Sequence, residues 1–199
     1  MLDERTTDPD PIRQFQKWFE EANRPDVILP NAMMLSTVSR SGQPSARMVL
    51  LKSFDQKGFV FFTNYTSRKG NELLKNPRVE LLFWWGIIER QIRIEGKVEK
   101  VSARESDEYF RTRPRESQIN AHASPQSAII SSREELVKLA ADIERRFAGK
   151  EIPRPRYWGG FRVHPVRIEF WQGREARLHD RILYSKTRAG KWKIVRLAP

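Results

Sequence analysis

The stretch AMMLSTVSRSGQPSARMVLL, residues 32–51, decides the fold class because two runs of strand-forming residues flank a short turn. Residues 32–38 and 45–51 are rich in apolar and β-branched side chains, which is typical of strands. Residues 40–44 (RSGQP) between them have the composition of a turn. Strands joined by so short a connection pair antiparallel, so this stretch predicts a β-hairpin.

Strand patterns continue along the rest of the chain. In residues 91–102, Ile92, Ile94 and Val98 alternate with polar residues, which predicts one buried and one polar face. In residues 161–172, Val166, Ile168 and Phe170 are expected to share the core face, with Trp171 on the opposite one. Further strands are predicted at 59–63, 79–85, 181–185 and 192–197.

Helix signals are fewer. Asp10 followed by Pro11 predicts a helix start, and that helix ends near Asn23. Ser102 with Glu105 and Ser132 with Glu135 form two capping boxes, of which the first begins a helix that Pro114 stops. A short helix is predicted between Ser67 and Asn76, whereas Pro153 and Pro155 mark an extended connector.

These elements predict a mainly β fold with α, of the α+β class. Roughly seven strands with short turns and few helices favour an antiparallel barrel with helices packed outside. Because strands and helices do not alternate regularly, a doubly wound parallel sheet is disfavoured. The length of 199 residues fits one domain, predicted at 11–199, after a polar and mobile N-terminal segment, 1–10.

Composition excludes several functions. The chain has no cysteine, which excludes disulfides and thiolate chemistry and favours a cytoplasmic location. No apolar segment of membrane-spanning length occurs, and the three dispersed histidines indicate no metal site. Phosphate-binding glycine motifs and hydrolytic serine motifs are absent, so an enzyme of this sequence needs a cofactor other than a Rossmann-bound dinucleotide.

The net charge of +12 leaves three kinds of partner open: nucleic acid, an anionic membrane surface, or phosphorylated small molecules. Arg47 and Lys52 bracket the strand RMVLLK, and strict alternation puts them on opposite faces. Arg68 and Lys69 follow Ser67 at a helix N-terminus, where free N–H groups and two cations predict an anion site.

Two more groups of residues carry chemistry. Tyr109 and Arg113 share a helix face, and Ser117 follows the Pro114 break, so a phenol, a guanidinium and a hydroxyl can serve a phosphate ester. The run FWQGREARLHDR (170–181) places Trp171 on the polar face of a strand, where an indole can cover a planar ring. A helix-surface Tyr–Arg stack and a solvated loop are the structural alternatives.

Together these motifs resemble the pyridoxine/pyridoxamine 5′-phosphate oxidase family. The resemblance extends from about Pro11 to Pro199 and includes two differences. About ten residues precede the first helix where many relatives carry a longer extension that closes over the substrate, so such a lid is expected to be absent or reduced, and Phe62 stands where a tyrosine is common. The segments that carry it, in order, are RMVLLK (47–52), SRK (67–69), PRVELLFWW (77–85), ERQIRIEG (89–96), YFRTRPRESQI (109–119), YWGGFRV (157–163), FWQGREARLHDR (170–181) and WKIVRLAP (192–199).

The resemblance implies an antiparallel split β-barrel with peripheral helices, which forms a homodimer with FMN at the subunit interface. FMN would be held by Arg47, Met48, Val49, Leu50, Leu51, Lys52, Phe62, Thr63, Arg68, Lys69, Gln91, Gln126, Ser127, Trp171 and Arg181. The phosphorylated substrate would be bound by Lys52, Tyr109, Arg113, Ser117, Arg177, Leu178 and His179.

The implied reaction oxidises pyridoxamine or pyridoxine 5′-phosphate to pyridoxal 5′-phosphate, with O2 as acceptor giving H2O2, and NH3 from the amine. Arg177 and His179 would lie at the reacting carbon, where Arg177 orients the substrate rather than acting as a base because arginine is hard to deprotonate. Two alternatives stay open: a flavin reductase or carrier with the same fold, and a basic nucleic-acid-binding module, which would be colourless and salt-sensitive.

Overall fold

The predicted hairpin forms, and it builds one edge of a single antiparallel sheet. A computed structural model describes residues 2–199; Met1, part of the predicted N-terminal segment, lies outside the described residues. Within residues 2–199 the sheet has nine strands. They are β1 (Ala32–Val38), β2 (Pro44–Leu50), β3 (Ser53–Asp55), β4 (Gly58–Asn64), β5 (Arg78–Trp85), β6 (Arg90–Lys100), β7 (Trp158–Gln172), β8 (Asp180–Lys186) and β9 (Trp192–Arg196).

The sheet curls into a split barrel. Its strands follow the order β2-β1-β5-β6-β7-β4-β3, and all pairs are antiparallel. Leu51 and Lys52 connect β2 at one edge of this order to β3 at the other, and the Lys52 N–H donates to the Val60 carbonyl of β4 over 2.9 Å. β4 pairs with the first half of β7, while β8 pairs with its second half and carries β9. The predicted mainly β architecture is therefore confirmed.

A β-bulge divides β7 into these two halves. Glu95 of β6 is paired with Arg167, but the next residue, Gly96, is paired with Pro165, so Val166 has no partner on β6. A Cβ on Gly96 would lie 2.4 Å from the His164 carbonyl oxygen, so the residue opposite the bulge has to be glycine.

The bulge changes which residues of β7 face the core. Phe161 is buried before it and Phe170 after it, although strict alternation would put residues nine apart on opposite faces. Val166 itself is 43% exposed, so the prediction that it shares the core face with Ile168 and Phe170 is wrong. Trp158 and Trp171 lie outside the main core and therefore on the same, outer face of the sheet.

Residues 2–199 contain five α-helices, which pack at two places. The first helix starts at Asp10, whose carboxylate accepts the Ile12 N–H, and its Phe15 packs edge-on against Phe59 and Phe83 inside the barrel. A smaller core on the outer face joins the helical middle of the chain to Trp158. The helices are α1 (Pro11–Ala22), α2 (Arg68–Lys75), α3 (Ala103–Thr112), α4 (Arg115–Ala123) and α5 (Arg133–Arg146), and none in the described residues is long and apolar enough to cross a membrane.

The N-terminal segment lies against β8 and β9. Leu2 is buried in the main core, and the Tyr184 hydroxyl donates to the Asp8 carbonyl over 2.6 Å. Burial and the neighbouring carboxylates raise the pKa of Tyr184 to about 12, although its hydrogen bond with Thr7 lowers it. The mobility of residues 1–10 and the single domain at 11–199 stay predictions.

Candidate active site

A cleft of about 530 Å³ opens on the outer face of the sheet, between β2, β4 and the α3–α4 pair. This volume lies in the range of small-molecule binding sites. The cleft brings together most of the residues predicted separately for a cofactor and for a phosphorylated substrate. Those predicted residues are Met48, Val49, Leu50, Lys52, Phe62, Thr63, Lys69, Gln126, Tyr109, Arg113 and Ser117.

The polar end of the cleft is formed by Lys69, Thr63 and Gln126. The Lys69 ammonium donates to the Gln126 amide oxygen over 3.1 Å and to the Thr63 hydroxyl over 3.2 Å. Lys69 is held there because Ser67 caps α2, where its hydroxyl accepts the Gly70 N–H. Burial, and then the charge of Arg47, lower the pKa of Lys69. Among residues 2–199 this nearly buried ammonium pairs with no carboxylate, which suits it to bind an anion.

Arg47 and Arg68 converge beside this end of the cleft on a residue that the sequence analysis missed, Glu72. Arg68 Nε lies 2.9 Å from Glu72 Oε1, and Arg47 Nη2 lies 3.3 Å from Oε2. Burial raises the pKa of Glu72, but hydrogen bonds from Thr37, Arg68 and Ser45 and the charge of Arg47 outweigh it and lower the pKa to about 2. Glu72 therefore stays ionised and holds the two arginines together.

Three aromatic rings form another wall of the cleft. Phe62 stacks on Tyr109 with ring centroids 4.0 Å apart, and Trp158 lies nearly parallel to both rings. This packing requires a glycine at position 160, because a Cβ there would lie 2.8 Å from the Phe62 ring. The hydroxyl that a tyrosine would carry at position 62 is absent, so the polar groups of these three side chains are the Tyr109 hydroxyl and the Trp158 indole N–H.

Arg113 enters the cleft next to this wall. Its guanidinium carbon lies 4.6 Å from the centre of the Trp158 ring, and its Nη1 is buried without a hydrogen-bond partner among residues 2–199. Burial lowers the pKa of Arg113, but an arginine remains charged at neutral pH. A buried cationic donor that lacks a protein acceptor indicates a place for an anionic ligand.

The turn between α3 and α4 brings Ser117 beside Arg113, as the sequence analysis expected. Gln118 closes this turn, since its amide nitrogen donates to the carbonyl oxygens of Phe110, Arg111 and Arg113 at 3.1–3.3 Å. α4, which the sequence analysis did not predict, begins directly after Pro114. The helix break therefore places a hydroxyl and a guanidinium at one cleft wall.

A second cluster of predicted site residues lies at the far end of β7. Trp171 is paired with Gln91 on β6 and with Arg181 on β8, and its ring lies 4.6 Å from the His179 ring. Arg181 donates to Glu169 over 2.8 Å. Arg177 is in the left-handed region, with φ of 61°, in a short turn that follows β7.

The two clusters do not meet within one chain. Trp171 lies thirteen residues after Trp158 on β7, a rise of roughly 40 Å along an extended strand. Of the remaining predicted site residues, Leu51 is buried in the main core, and Leu178 is 71% exposed. Ser127 has a φ of 75° in the loop after Gln126. The predicted roles of all these residues stay predictions.

Comparison with known proteins identifies this arrangement. The fold is similar to that of PhzG from Burkholderia lata, which was solved in complex with tetrahydrophenazine-1-carboxylic acid. The two chains share 31% sequence identity and superpose with a TM-score of 0.94, over 100% of this chain and 98% of PhzG. A pyridoxamine 5′-phosphate oxidase-related, FMN-binding protein from Nostoc punctiforme shares the fold at 16% identity, with a TM-score of 0.76 over 96% and 98% of the two chains.

Sequence relatives define the family. Residues 19–147 match the family described as pyridoxamine 5′-phosphate oxidase, and residues 158–199 match the pyridoxine 5′-phosphate oxidase C-terminal dimerisation region. The pyridoxine/pyridoxamine 5′-phosphate oxidases of Rubrobacter xylanophilus and Trichormus variabilis are 59% and 54% identical over all of this chain and 91% and 92% of theirs. The chain belongs to the pyridoxamine 5′-phosphate oxidase family.

Proposed function

We propose that this protein is an FMN-dependent oxidase that converts pyridoxamine or pyridoxine 5′-phosphate to pyridoxal 5′-phosphate. The observation that carries the proposal is Arg113, whose buried Nη1 has no hydrogen-bond partner among residues 2–199, in a cleft that Lys69 also lines. Two cationic positions in one cleft suit two phosphate esters, one on a cofactor and one on a substrate. Family membership and relatives of that name over the full length support the same conclusion.

The residues of the cleft fit FMN. Lys69, with Gln126 and Thr63, offers donors to a phosphate, and Arg68, 60% exposed in its side chain, can turn toward the same group. Met48 and Leu50 of β2 provide an exposed apolar surface for a flat ring. Bound FMN would supply the redox chemistry, as acceptor of the hydride removed from the substrate and donor of electrons to O2.

The residues of this chain would then bind and orient the substrate. Arg113 and Ser117 hold its phosphate, and the Lys52 ammonium, 5.9 Å from the Tyr109 ring centre, adds positive charge to the same wall. Arg177 and His179 would approach the reacting carbon from the second cluster. Because His179 Nδ1 accepts the Arg174 N–H over 3.1 Å, only its Nε2 remains to face a substrate. Orientation of two reactants by such groups lowers a barrier by several kcal/mol.

The separation of the two clusters supports a homodimer in which each site takes residues from both chains. One chain would supply the cleft, and its partner would supply Gln91, Trp171, Arg177, His179 and Arg181. Met48 and Trp84 are 63% and 55% exposed, so the outer face of the sheet has apolar surface that a second chain could bury. The match of residues 158–199 to a dimerisation region agrees with this assembly. The cytoplasmic location stays a prediction.

Two measurements test the proposal. Purified protein should be yellow, with flavin absorbance that separates as FMN on denaturation, and it should form pyridoxal 5′-phosphate and H2O2 from both phosphorylated vitamers. Arg177→Ala should depress turnover while FMN remains bound. A colourless protein that binds oligonucleotides with steep salt dependence would instead support a nucleic-acid-binding module. A flavoprotein that oxidises neither vitamer would be a reductase or a carrier.

A further inference from the structure

The cations of the cleft are held in two different ways. Arg47 and Arg68 are held by a carboxylate, Glu72, which neutralises part of their charge. Arg113 makes no ion pair and no side-chain hydrogen bond to any other residue in the part of the chain that the structure describes, 2–199. Its guanidinium instead lies over aromatic rings, 4.6 Å from the centre of Trp158 and 5.6 Å from that of Phe110.

A ring face holds a cation without using its hydrogen-bond donors. The attraction acts between the positive charge and the negative face of the ring, so it requires no N–H contact. A carboxylate partner would occupy those donors and would repel an incoming phosphate. The arrangement around Arg113 therefore leaves both the charge and the N–H groups available, which agrees with the unpartnered Nη1.

Trp158 is itself fixed in place. It begins β7, is 7% exposed, and is paired with Asn64 of β4. Its ring packs against Phe62 at 5.4 Å and against the edge of Phe110 at 5.2 Å. A buried indole that is held on two sides cannot move away from the guanidinium, so it determines where Arg113 points.

We propose that Trp158 is a positioning residue for substrate phosphate: its ring holds the guanidinium of Arg113 in the cleft and leaves the N–H donors free for the ligand. Trp158 acts through Arg113 and is not itself a catalytic residue. The inference rests on the proposed function, since it assigns a phosphorylated substrate to this wall of the cleft. It also explains why Arg113 remains in the cleft although no carboxylate of residues 2–199 pairs with it.

The test compares pyridoxal 5′-phosphate with pyridoxal, which lacks the phosphate, by calorimetric titration of the FMN-loaded protein. Trp158→Leu should weaken binding of the phosphorylated ligand by about five- to thirty-fold, the range of a desolvated cation–π contact, and should leave pyridoxal binding unchanged. In an Arg113→Ala background the same substitution should change neither affinity further. Trp192→Leu is the matched control, because Trp192 lies 5.7 Å from the ammonium of Lys186 on the β8–β9 hairpin, outside the cleft.

The outcomes separate the inference from the function on which it rests. Equal losses for both ligands, or the same loss with Arg113 already removed, would show a merely structural role and overturn the inference. If Trp158→Leu does not fold, Trp158→Phe is the second variant, because phenylalanine keeps a packed ring that attracts a cation less strongly. It should reduce the ratio of the affinity for pyridoxal 5′-phosphate to the affinity for pyridoxal by about two- to threefold. An unchanged ratio overturns the inference. If the wild-type protein does not prefer the phosphorylated ligand, the proposed function fails first.

Discussion

Mixed dimers give the most direct test of how the site is assembled. Arg113 belongs to the cleft and Arg177 to the cluster at the far end of β7, so the proposed site takes one from each chain. We expect Arg113→Ala and Arg177→Ala each to lower kcat/KM at least about tenfold, since each removes a charged hydrogen-bond donor worth ~1.5–3 kcal/mol. A dimer that contains one chain of each kind should regain activity.

The size of the recovery follows from the geometry. The roughly 40 Å between the two ends of β7 prevents one chain from supplying both arginines to one site. In the mixed dimer, one site then carries both substitutions and the other carries neither. The isolated mixed dimer should therefore have about half the turnover of the wild-type dimer, because one of two symmetric sites is intact.

The assay uses two differently tagged chains, co-expressed and purified over both tags in turn, with pyridoxal 5′-phosphate formation as the readout. A mixed dimer of Arg113→Ala and Lys52→Ala is the control; both residues lie in the cleft, so each of its sites stays impaired. Activity of the Arg113/Arg177 mixed dimer no higher than that of the single variants would refute the shared site.

Three further predictions concern the cleft and its support. The ionised Glu72 stabilises the fold fully above its ordinary pKa of 4.5, and this contribution is lost as the pH falls toward the folded pKa of about 2. In urea unfolding, the free energy of unfolding of the wild type should therefore fall between pH 7 and pH 3 by ~1–2 kcal/mol more than that of Glu72→Gln, after solvent screening. Because the pKa of Lys69 is lowered from 10.5, the ammonium should lose its proton, and FMN should lose affinity, as the pH rises in the range below 10.5. In fluorescence titrations, the FMN affinity of Lys69→Arg should depend less on pH, since arginine keeps its charge. Gly159→Ala places a Cβ 2.2 Å from the Tyr65 hydroxyl and should destabilise the protein by ~1–3 kcal/mol in thermal unfolding, which Tyr65→Phe in the same chain should partly reverse.

Each of these predictions has its own contradicting result. Parallel pH profiles for wild type and Glu72→Gln would show that the carboxylate contributes nothing at acidic pH. An FMN affinity that is constant to pH 10.5 would remove Lys69 from the phosphate site. If Tyr65→Phe does not relieve Gly159→Ala, the clash with the hydroxyl is not the cause of the destabilisation.

The sequence predicted those parts of the fold that depend on neighbours in the chain. The hairpin at 32–51 and the helix after Asp10 are correct because turn composition, caps and apolar periodicity act locally. The three-residue β3 was missed because so short a strand has no pattern, and α4 was missed because it has no side-chain cap and follows the helix-stopping Pro114 directly. The bulge at Val166 was missed because it depends on pairing with β6, which is distant in sequence.

The same limit applies to the site. Tyr109, Arg113 and Ser117 line one cleft, as their spacing around Pro114 predicts, whereas their role in binding stays a prediction. Glu72 was missed because a glutamate beside two cations resembles a solvated helix face in sequence. Trp158 was missed because it follows Pro153 and Pro155, whose pattern predicts an extended connector and indicates no contact with a cation. Neither residue reveals its role until the cation that it holds is seen in three dimensions.

One extra residue in β7 lets both halves of that strand turn their apolar side chains toward the same core. Deleting Val166 would remove the bulge and leave Phe161 and Phe170 eight residues apart, so strict alternation alone would keep Ile168 and Phe170 in the core and Trp171 on the outer face. A single codon deletion elsewhere in β7 would exchange inside for outside over the residues between the deletion and the bulge, although no residue proposed to bind a ligand need be lost. Single-residue deletions along β7 should therefore harm the protein least at Val166, and the turn at Ala189 and Gly190 should likewise tolerate a change in length.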